Sequence, residues 1–143
     1  DELLRHRRCV LRLRQEAGKS FLTFKGPAQL APMKVREEWE TLTADGEAML
    51  AILNQLGFTV WFRYQKFREE FALAGATLAI DETPMGTFVE IEGAEQAIID
   101  AAQALGRTSN EYLLDSYRTL YLRHCQERGN VPANMLFERP IGP

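Results

Sequence analysis

The chain has 143 residues, 45% of them hydrophobic and 26% charged, with a net charge of −3. That is the make-up of one ordinary globular domain, and it excludes a disordered, collagen-like or coiled-coil chain. No apolar run reaches the roughly 18–20 residues of a membrane span, no signal peptide is read at the start, and two cysteines are too few for a disulfide scaffold, so reduced thiols, a cytoplasmic protein and no membrane partner are expected.

In chain order, Cys9 to Gln15 alternates as a strand. Cys9, Leu11 and Leu13 share one face, with Cys9 expected to be buried; Arg8, Val10, Arg12 and Arg14 share the other. Gly18 marks a hairpin turn, and Ser20 to Lys25 is the second strand, ended by Gly26-Pro27. Lys34 to Leu42 is a third strand, with Lys34, Arg36, Glu38 and Glu40 on one face and Val35 and Trp39 on the other. Asp45 caps a helix whose stripe is Met49, Ile52, Leu53 and Leu56 and whose stop is Gly57. Phe58 to Ala72, rich in aromatics, reads as one long strand. Thr77 to Glu82 and Thr87 to Glu92 are strands joined by the turn Thr83-Pro84-Met85-Gly86. A second helix runs from Ala94 to Leu105 with the stripe Ile98, Ala101, Ala102 and Leu105. A third lies near Asp115 to Arg128, with Leu113, Tyr117, Leu120 and Tyr121 pointing inward. Residues 130–143 read as a loop-like tail. Glu38-Trp39-Glu40 and Glu90-Ile91-Glu92 each lead into a short amphipathic helix, a weak internal echo of two halves.

The charge is unevenly spread. Residues 1–68 hold 12 Lys and Arg against 8 Asp and Glu; residues 69–143 hold 5 against 12. Within strands the charges fall at period two: Arg12 with Arg14, Arg36 with Glu38 and Glu40, Lys66 with Arg68, Glu90 with Glu92. On any one strand the bland reading is a solvated face of an antiparallel sheet. Across several strands, clustered Arg and Glu instead suggest a polar lumen. Guanidinium forks fit phosphate oxygens and paired carboxylates fit hard divalent cations, so a highly anionic ligand with its metal would satisfy both walls. The helices would then cover the apolar outer faces.

Other constellations carry less. His6 and His124 have no partner at metal-ligand spacing, no Walker loop is present, and Ser20, Ser109 and Ser116 lack a nucleophile elbow. Arg5, Arg7 and Arg8 could touch nucleic acid, a minor option for so acidic a chain.

Several segments in order resemble one family. Leu11-Arg12-Leu13-Arg14, Leu22-Thr23-Phe24-Lys25-Gly26-Pro27, Arg36-Glu37-Glu38-Trp39-Glu40, Lys66-Phe67-Arg68, Asp81-Glu82-Thr83-Pro84-Met85-Gly86, Phe88-Val89-Glu90-Ile91-Glu92-Gly93 and Ser116-Tyr117-Arg118-Thr119-Leu120 are similar to blocks of the CYTH family. This group joins class IV adenylate cyclases and thiamine triphosphatases, the triphosphate tunnel metalloenzymes. The resemblance implies an α+β fold, an antiparallel eight-stranded tunnel β-barrel with flanking helices, as a single domain over 1–143. It also implies that this domain is N-terminally incomplete, because the family's opening Glu-x-Glu-x-Lys strand is missing from this chain.

The resemblance assigns Arg12, Arg14, Lys25, Arg36, Lys66 and Arg68 to phosphate binding, with Lys25 and Arg68 as the catalytic candidates. It assigns Glu38, Glu40, Asp81, Glu90 and Glu92 to Mg²⁺ or Mn²⁺. The expected activity is metal-dependent hydrolysis of ATP, thiamine triphosphate or inorganic triphosphate, and a homodimer is a family habit. The alternatives are cyclisation of ATP to cAMP and pyrophosphate, and a non-catalytic nucleotide or polyphosphate binder.

Overall fold

The structure, a computed structural model, describes residues 2–30 and 34–138; residues 139–143 of the expected tail lie outside the described residues. It divides into two compact units, Asp1–Val60 and Trp61–Pro143, each with its own three-stranded antiparallel sheet.

The first unit opens with a short helix, α1 (Glu2–His6), that the sequence pattern did not announce. Strands β1 (Val10–Glu16) and β2 (Lys19–Lys25) form a hairpin closed by Ala17 and Gly18, at φ +48° and +74°. Two successive left-handed residues match the twist of the flanking strands, and glycine reaches that region without steric cost. Cys9 sits just before β1 and is half-buried rather than in the core, its Sγ donating to the Arg7 carbonyl at 3.4 Å.

The third expected strand is broken in two. A two-residue pair, β3 (Gln29–Leu30) with β4 (Lys34–Val35), stands apart. Then β5 (Glu38–Thr43) pairs with β2, so the sheet order is β1-β2-β5. The break follows from Gly26-Pro27. The Gly26 N–H still reaches the Glu37 carbonyl at 2.8 Å, but Pro27 has no donor to extend the ladder. Arg36 and Glu37 consequently belong to no strand.

Helix α2 (Gly46–Gln55) starts where expected, with Asp45 Oδ1 accepting from the Glu47 and Ala48 N–H groups at 2.9 Å each. It packs on β1 and β2. Gly46 is needed there: a Cβ would meet Ser20 Oγ at 2.4 Å.

The expected long aromatic strand from Phe58 to Ala72 is not formed. Residues 58–66 are irregular, and β6 (Phe67–Leu73) begins only afterwards. The backbone ahead of it pairs with the tail instead. Gln65 donates to the Met135 carbonyl and Met135 to the Arg63 carbonyl, both at 2.9 Å, giving a parallel bridge at Tyr64. Met135 is fully buried, so residues 131–138 of the expected loop contain an anchor.

Strands β7 (Ala76–Thr83) and β8 (Gly86–Glu92) complete the second sheet in the order β6-β7-β8. Its first hairpin again turns on an Ala-Gly pair, Ala74 and Gly75, at φ +51° and +79°. At the second, Thr83 Oγ1 donates to the Gly86 carbonyl and accepts from the Met85 N–H. Helix α3 (Glu95–Ala104) lays Ala101 and Ala102 into the core against β7 and β8. A 3-10 turn at Ser109–Glu111 leads to α4 (Tyr117–Glu127), whose cap is Ser116. Leu113, expected inward, is exposed, because the helix begins four residues after it.

Among the described residues the strands form these two sheets and the β3–β4 pair, with no closed barrel. Replacing Asp45 by Ala removes the α2 cap and should cost about 1 kcal/mol of stability, read as a lower urea midpoint at unchanged slope.

Candidate functional site

Register places the charged residues. Across the first sheet, Arg12, Thr23 and Glu40 are direct neighbours, as are Val10, Lys25 and Glu38. Cross-strand neighbours share a face, so Arg12, Arg14, Lys25, Glu38 and Glu40 occupy one side. Thr23 is fully buried at the centre and donates from Oγ1 to Glu40 Oε2 at 2.6 Å. Arg14 Nη2 reaches Glu40 Oε1 at 3.1 Å and Arg14 Nη1 reaches Glu16 at 2.7 Å, while Arg12 lies 3.7 Å from Glu40. Lys25 bonds Glu38. The Thr23 hydrogen bond, helped by Arg14, Arg12 and Lys25, holds the Glu40 carboxyl below its usual range against the opposing effect of burial. Arg36 lies off the strand ladder, and its buried Nε has no hydrogen-bond partner among the described residues.

The second sheet is more tightly wired. Arg68, Asp81 and Phe88 are neighbours in one row, and Glu70, Ala79 and Glu90 in the next. Asp81 is completely buried. Its Oδ1 accepts from Arg68 Nε and its Oδ2 from Arg68 Nη2 and Lys66 Nζ, each at 2.7 Å. Oδ2 also accepts from the Tyr117 hydroxyl at 2.6 Å. Arg68 Nη2 reaches onward to Glu90 at 2.7 Å, whereas Arg68 Nη1 meets carboxylates only at 3.7 Å (Glu70) and 4.0 Å (Glu92). Burial by itself would raise the Asp81 carboxyl; the bonds from Arg68, Lys66 and Tyr117 overcome it and hold the group well below the usual carboxylate range. Asp81 first, then Glu90, pushes the Arg68 guanidinium further up despite its burial.

Each sheet thus gathers its own cations and carboxylates on one face. Among the described residues no group of three or more His, Cys, Asp or Glu side chains stands close enough to hold a metal ion. The donor sets differ in how well they would suit one. Glu92 is exposed and only loosely paired, and Glu90, Glu38 and Glu40 are partly exposed, so their oxygens can exchange partners. Asp81 has four donors on two oxygens and little capacity left for a cation.

Two members escaped the sequence reading. Thr23 could have been found, since it sits two residues from Lys25 on the charged face. Tyr117 is legible in the sequence only as an inward-facing helix residue and a member of the last family block; nothing local joins it to Asp81, which lies 36 residues away.

The CYTH domain profile matches residues 1–119, so the chain belongs to the CYTH family. It is 37% identical over 84 residues to a Methanocaldococcus jannaschii protein that carries the name Putative adenylate cyclase MJ0240. The match takes in 58% of this chain and 48% of that protein, so the chain spans about half the length of the curated relative. Two solved structures are also similar. A conserved hypothetical protein from Pyrococcus furiosus is 25% identical with a TM-score of 0.67, over 78% of this chain and 74% of that one. The PH1819 protein from Pyrococcus horikoshii OT3 is 28% identical with a TM-score of 0.65, over 84% and 76%.

Asp81→Asn leaves Arg68 and Lys66 without their buried counter-charge and should cost about 3–5 kcal/mol. In the wild type, a carboxyl whose folded pKa is depressed stabilises fully above its unfolded value of about 3.9 and loses that contribution as pH falls further. Acid titration of urea stability should therefore show a loss below about pH 4 that is shallower in the Asn variant, which keeps only the contribution of the other depressed carboxylates such as Glu40.

Proposed function

We propose that this chain handles the triphosphate of a metal-dependent CYTH enzyme, and that the reaction is hydrolysis of a nucleoside, thiamine or inorganic triphosphate. The observation that carries the reading is the clustering of cations and carboxylates along single faces of both sheets, which carries a desolvation cost around buried Asp81 and is useful to a multiply charged anion with its counter-cation.

In this reading Arg12, Arg14, Lys25, Arg36, Lys66 and Arg68 take phosphate oxygens. Lys25 and Arg68 are the catalytic candidates, whose fixed positive charge would favour the transition state over the ground state. Glu38, Glu40, Glu90 and Glu92 would hold Mg²⁺ or Mn²⁺, and Asp81 keeps Lys66 and Arg68 in place. The metal, when bound, offsets phosphate charge and orients the chain of phosphates. Glu90 and Glu92, which contact Arg68 at 2.7 and 4.0 Å, would be the carboxylates to hold the cation on this sheet, and Arg68 would offer its donors to phosphate oxygen. Water attacks the terminal phosphorus, the bond to the bridging oxygen breaks, and orthophosphate departs.

One observation favours a second reading, cyclisation of ATP to cAMP and pyrophosphate: the name carried by the M. jannaschii relative. The two reactions differ only in which phosphorus stands in line with a nucleophile. In either, the partner is a small triphosphate. This reading assumes a cytoplasmic setting and no membrane partner; separately, no helix among the described residues is long and apolar enough to cross a membrane.

The test is the product made from ATP, thiamine triphosphate and inorganic triphosphate with Mg²⁺ or Mn²⁺. Orthophosphate release is expected; cAMP with pyrophosphate would establish the second reading, and binding without turnover would overturn both. Glu90→Gln and Glu92→Gln should each lower kcat by about 10²-fold, and wild-type rates in both variants would dismiss the shared site.

A further inference from the structure

Tyr117 is the first residue of α4, and no part of the proposed chemistry yet uses it. Its surroundings are unusually constrained. The hydroxyl donates to Asp81 Oδ2 at 2.6 Å, and the Lys66 ammonium lies 5.1 Å from the ring centroid, within cation–π range. The Phe88 ring meets it edge-on, at 5.5 Å and 84°, and the Tyr64 ring stands 6.3 Å away. The helix that carries it is itself pinned. Arg118 stacks over Trp61 at 3.7 Å, Tyr121 packs against Phe62, and the Ser116 hydroxyl caps the first turn by accepting from the Thr119 N–H.

A positioned cation needs such constraints. Lysine and arginine lose the most rotamer freedom when fixed, and a site that leaves them loose must supply that ordering from ligand binding. Asp81 alone could accept Arg68 and Lys66 in several arrangements. A third donor on Oδ2 limits those arrangements, and an aromatic face beneath the ammonium limits Lys66 further. The third donor also has to be neutral: another cation beside Lys66 and Arg68 would repel both, while a hydroxyl adds a hydrogen bond without adding charge. Burial, and then the bond to Asp81, raise the Tyr117 hydroxyl further above its ordinary value, so it stays a donor throughout the physiological range.

We propose that Tyr117 is a positioning residue, whose hydroxyl on Asp81 and ring beside Lys66 hold the Lys66 and Arg68 side chains in the arrangement that takes phosphate oxygens. This rests on the reading of Lys66 and Arg68 as phosphate ligands. It adds that α4, about fifty residues further along the chain, sets their geometry. Tyr117 itself need not touch the ligand.

The test compares wild type, Tyr117→Phe and Arg68→Ala in the full chain. Calorimetric titration with inorganic triphosphate, with and without Mg²⁺, gives the affinity; thermal melting gives stability; the Arg68 Nε–H resonance in a ¹H–¹⁵N spectrum reports the bond to Asp81. Tyr117→Phe keeps the ring and its packing. It should weaken triphosphate binding about tenfold, in line with the loss of one hydrogen bond to a charged group, raise KM more than it lowers kcat, and shift or broaden the Arg68 resonance.

A lowered melting temperature with wild-type affinity and an unmoved Arg68 resonance means that Tyr117 only fills space, and overturns the proposal. If Arg68→Ala binds triphosphate as well as wild type, or wild type does not bind it, the phosphate reading fails and the proposal falls with it. If Arg68→Ala binds poorly and Tyr117→Phe binds as wild type, the phosphate reading stands and the positioning role is lost.

Discussion

A carboxylate with no exposure to water remains ionised only if the protein replaces its hydration with donors, and Asp81 is replaced four times over. Much of the second unit's order depends on that requirement. Arg68 approaches side-on to offer Nε and Nη2 together, which the register of β6 against β7 allows. Lys66 must extend ahead of β6, in the irregular stretch that the Met135 bridge holds in place. Tyr117 must come down from α4, which ties the helix to the charged face of the sheet. Removing Arg68 or Lys66 takes away part of the counter-charge of Asp81, and removing the Tyr117 hydroxyl takes away a neutral donor, so the members of the cluster depend on one another.

The first unit meets the same electrostatic problem with less burial. Its central acceptor, Glu40, is partly exposed, and its closest partner is the neutral, buried hydroxyl of Thr23. Arg12 and Arg14 approach from one strand away, and Arg14 also lies over the Phe21 ring at 4.7 Å. Such pairs near water contribute little stability. In the proposed reading their value would be arrangement: a row of cations already ordered on a sheet face would lose less entropy on binding a multiply charged anion. One unit therefore holds its cations by a buried anion and the other by a surface lattice, although both draw on Arg, Lys and Glu at period two.

The opposite faces of the two sheets carry the apolar side chains, and the helices cover them unevenly. Ala101 and Ala102 of α3 are fully packed, whereas Ile52 of α2 and Leu56 at its C-terminal cap remain largely exposed, as do Trp39, Phe71 and Val89 on the strands. The amphipathic stripes in the sequence were sound guides to which side of a helix is apolar. They were poor guides to how much of it is buried, because burial depends on what packs against the stripe. The expected long strand through Phe58 to Ala72 failed for a related reason. Its aromatics pack on α4, with Phe62 against Tyr121 and Tyr64 against Tyr117, and its backbone pairs with Met135; both partners are distant in sequence.

The features legible in the chain alone are local and periodic. The alternation of Arg12 with Arg14 and of Glu90 with Glu92 assigned each to one strand face, because side chains in a strand alternate with period two. Asp45 announced its helix, Gly18 its hairpin, and seven short blocks in order announced the CYTH family. The tertiary structure alone decided which charges meet. Arg68 pairs with Asp81 because β6 and β7 are in that register, Thr23 lies between Arg12 and Glu40 because β2 is the central strand, and Tyr117 reaches Asp81 because α4 packs where it does. Those partners are 11 to 36 residues apart. No local pattern encodes such distances, since they follow from chain closure and packing, to which every part of the unit contributes.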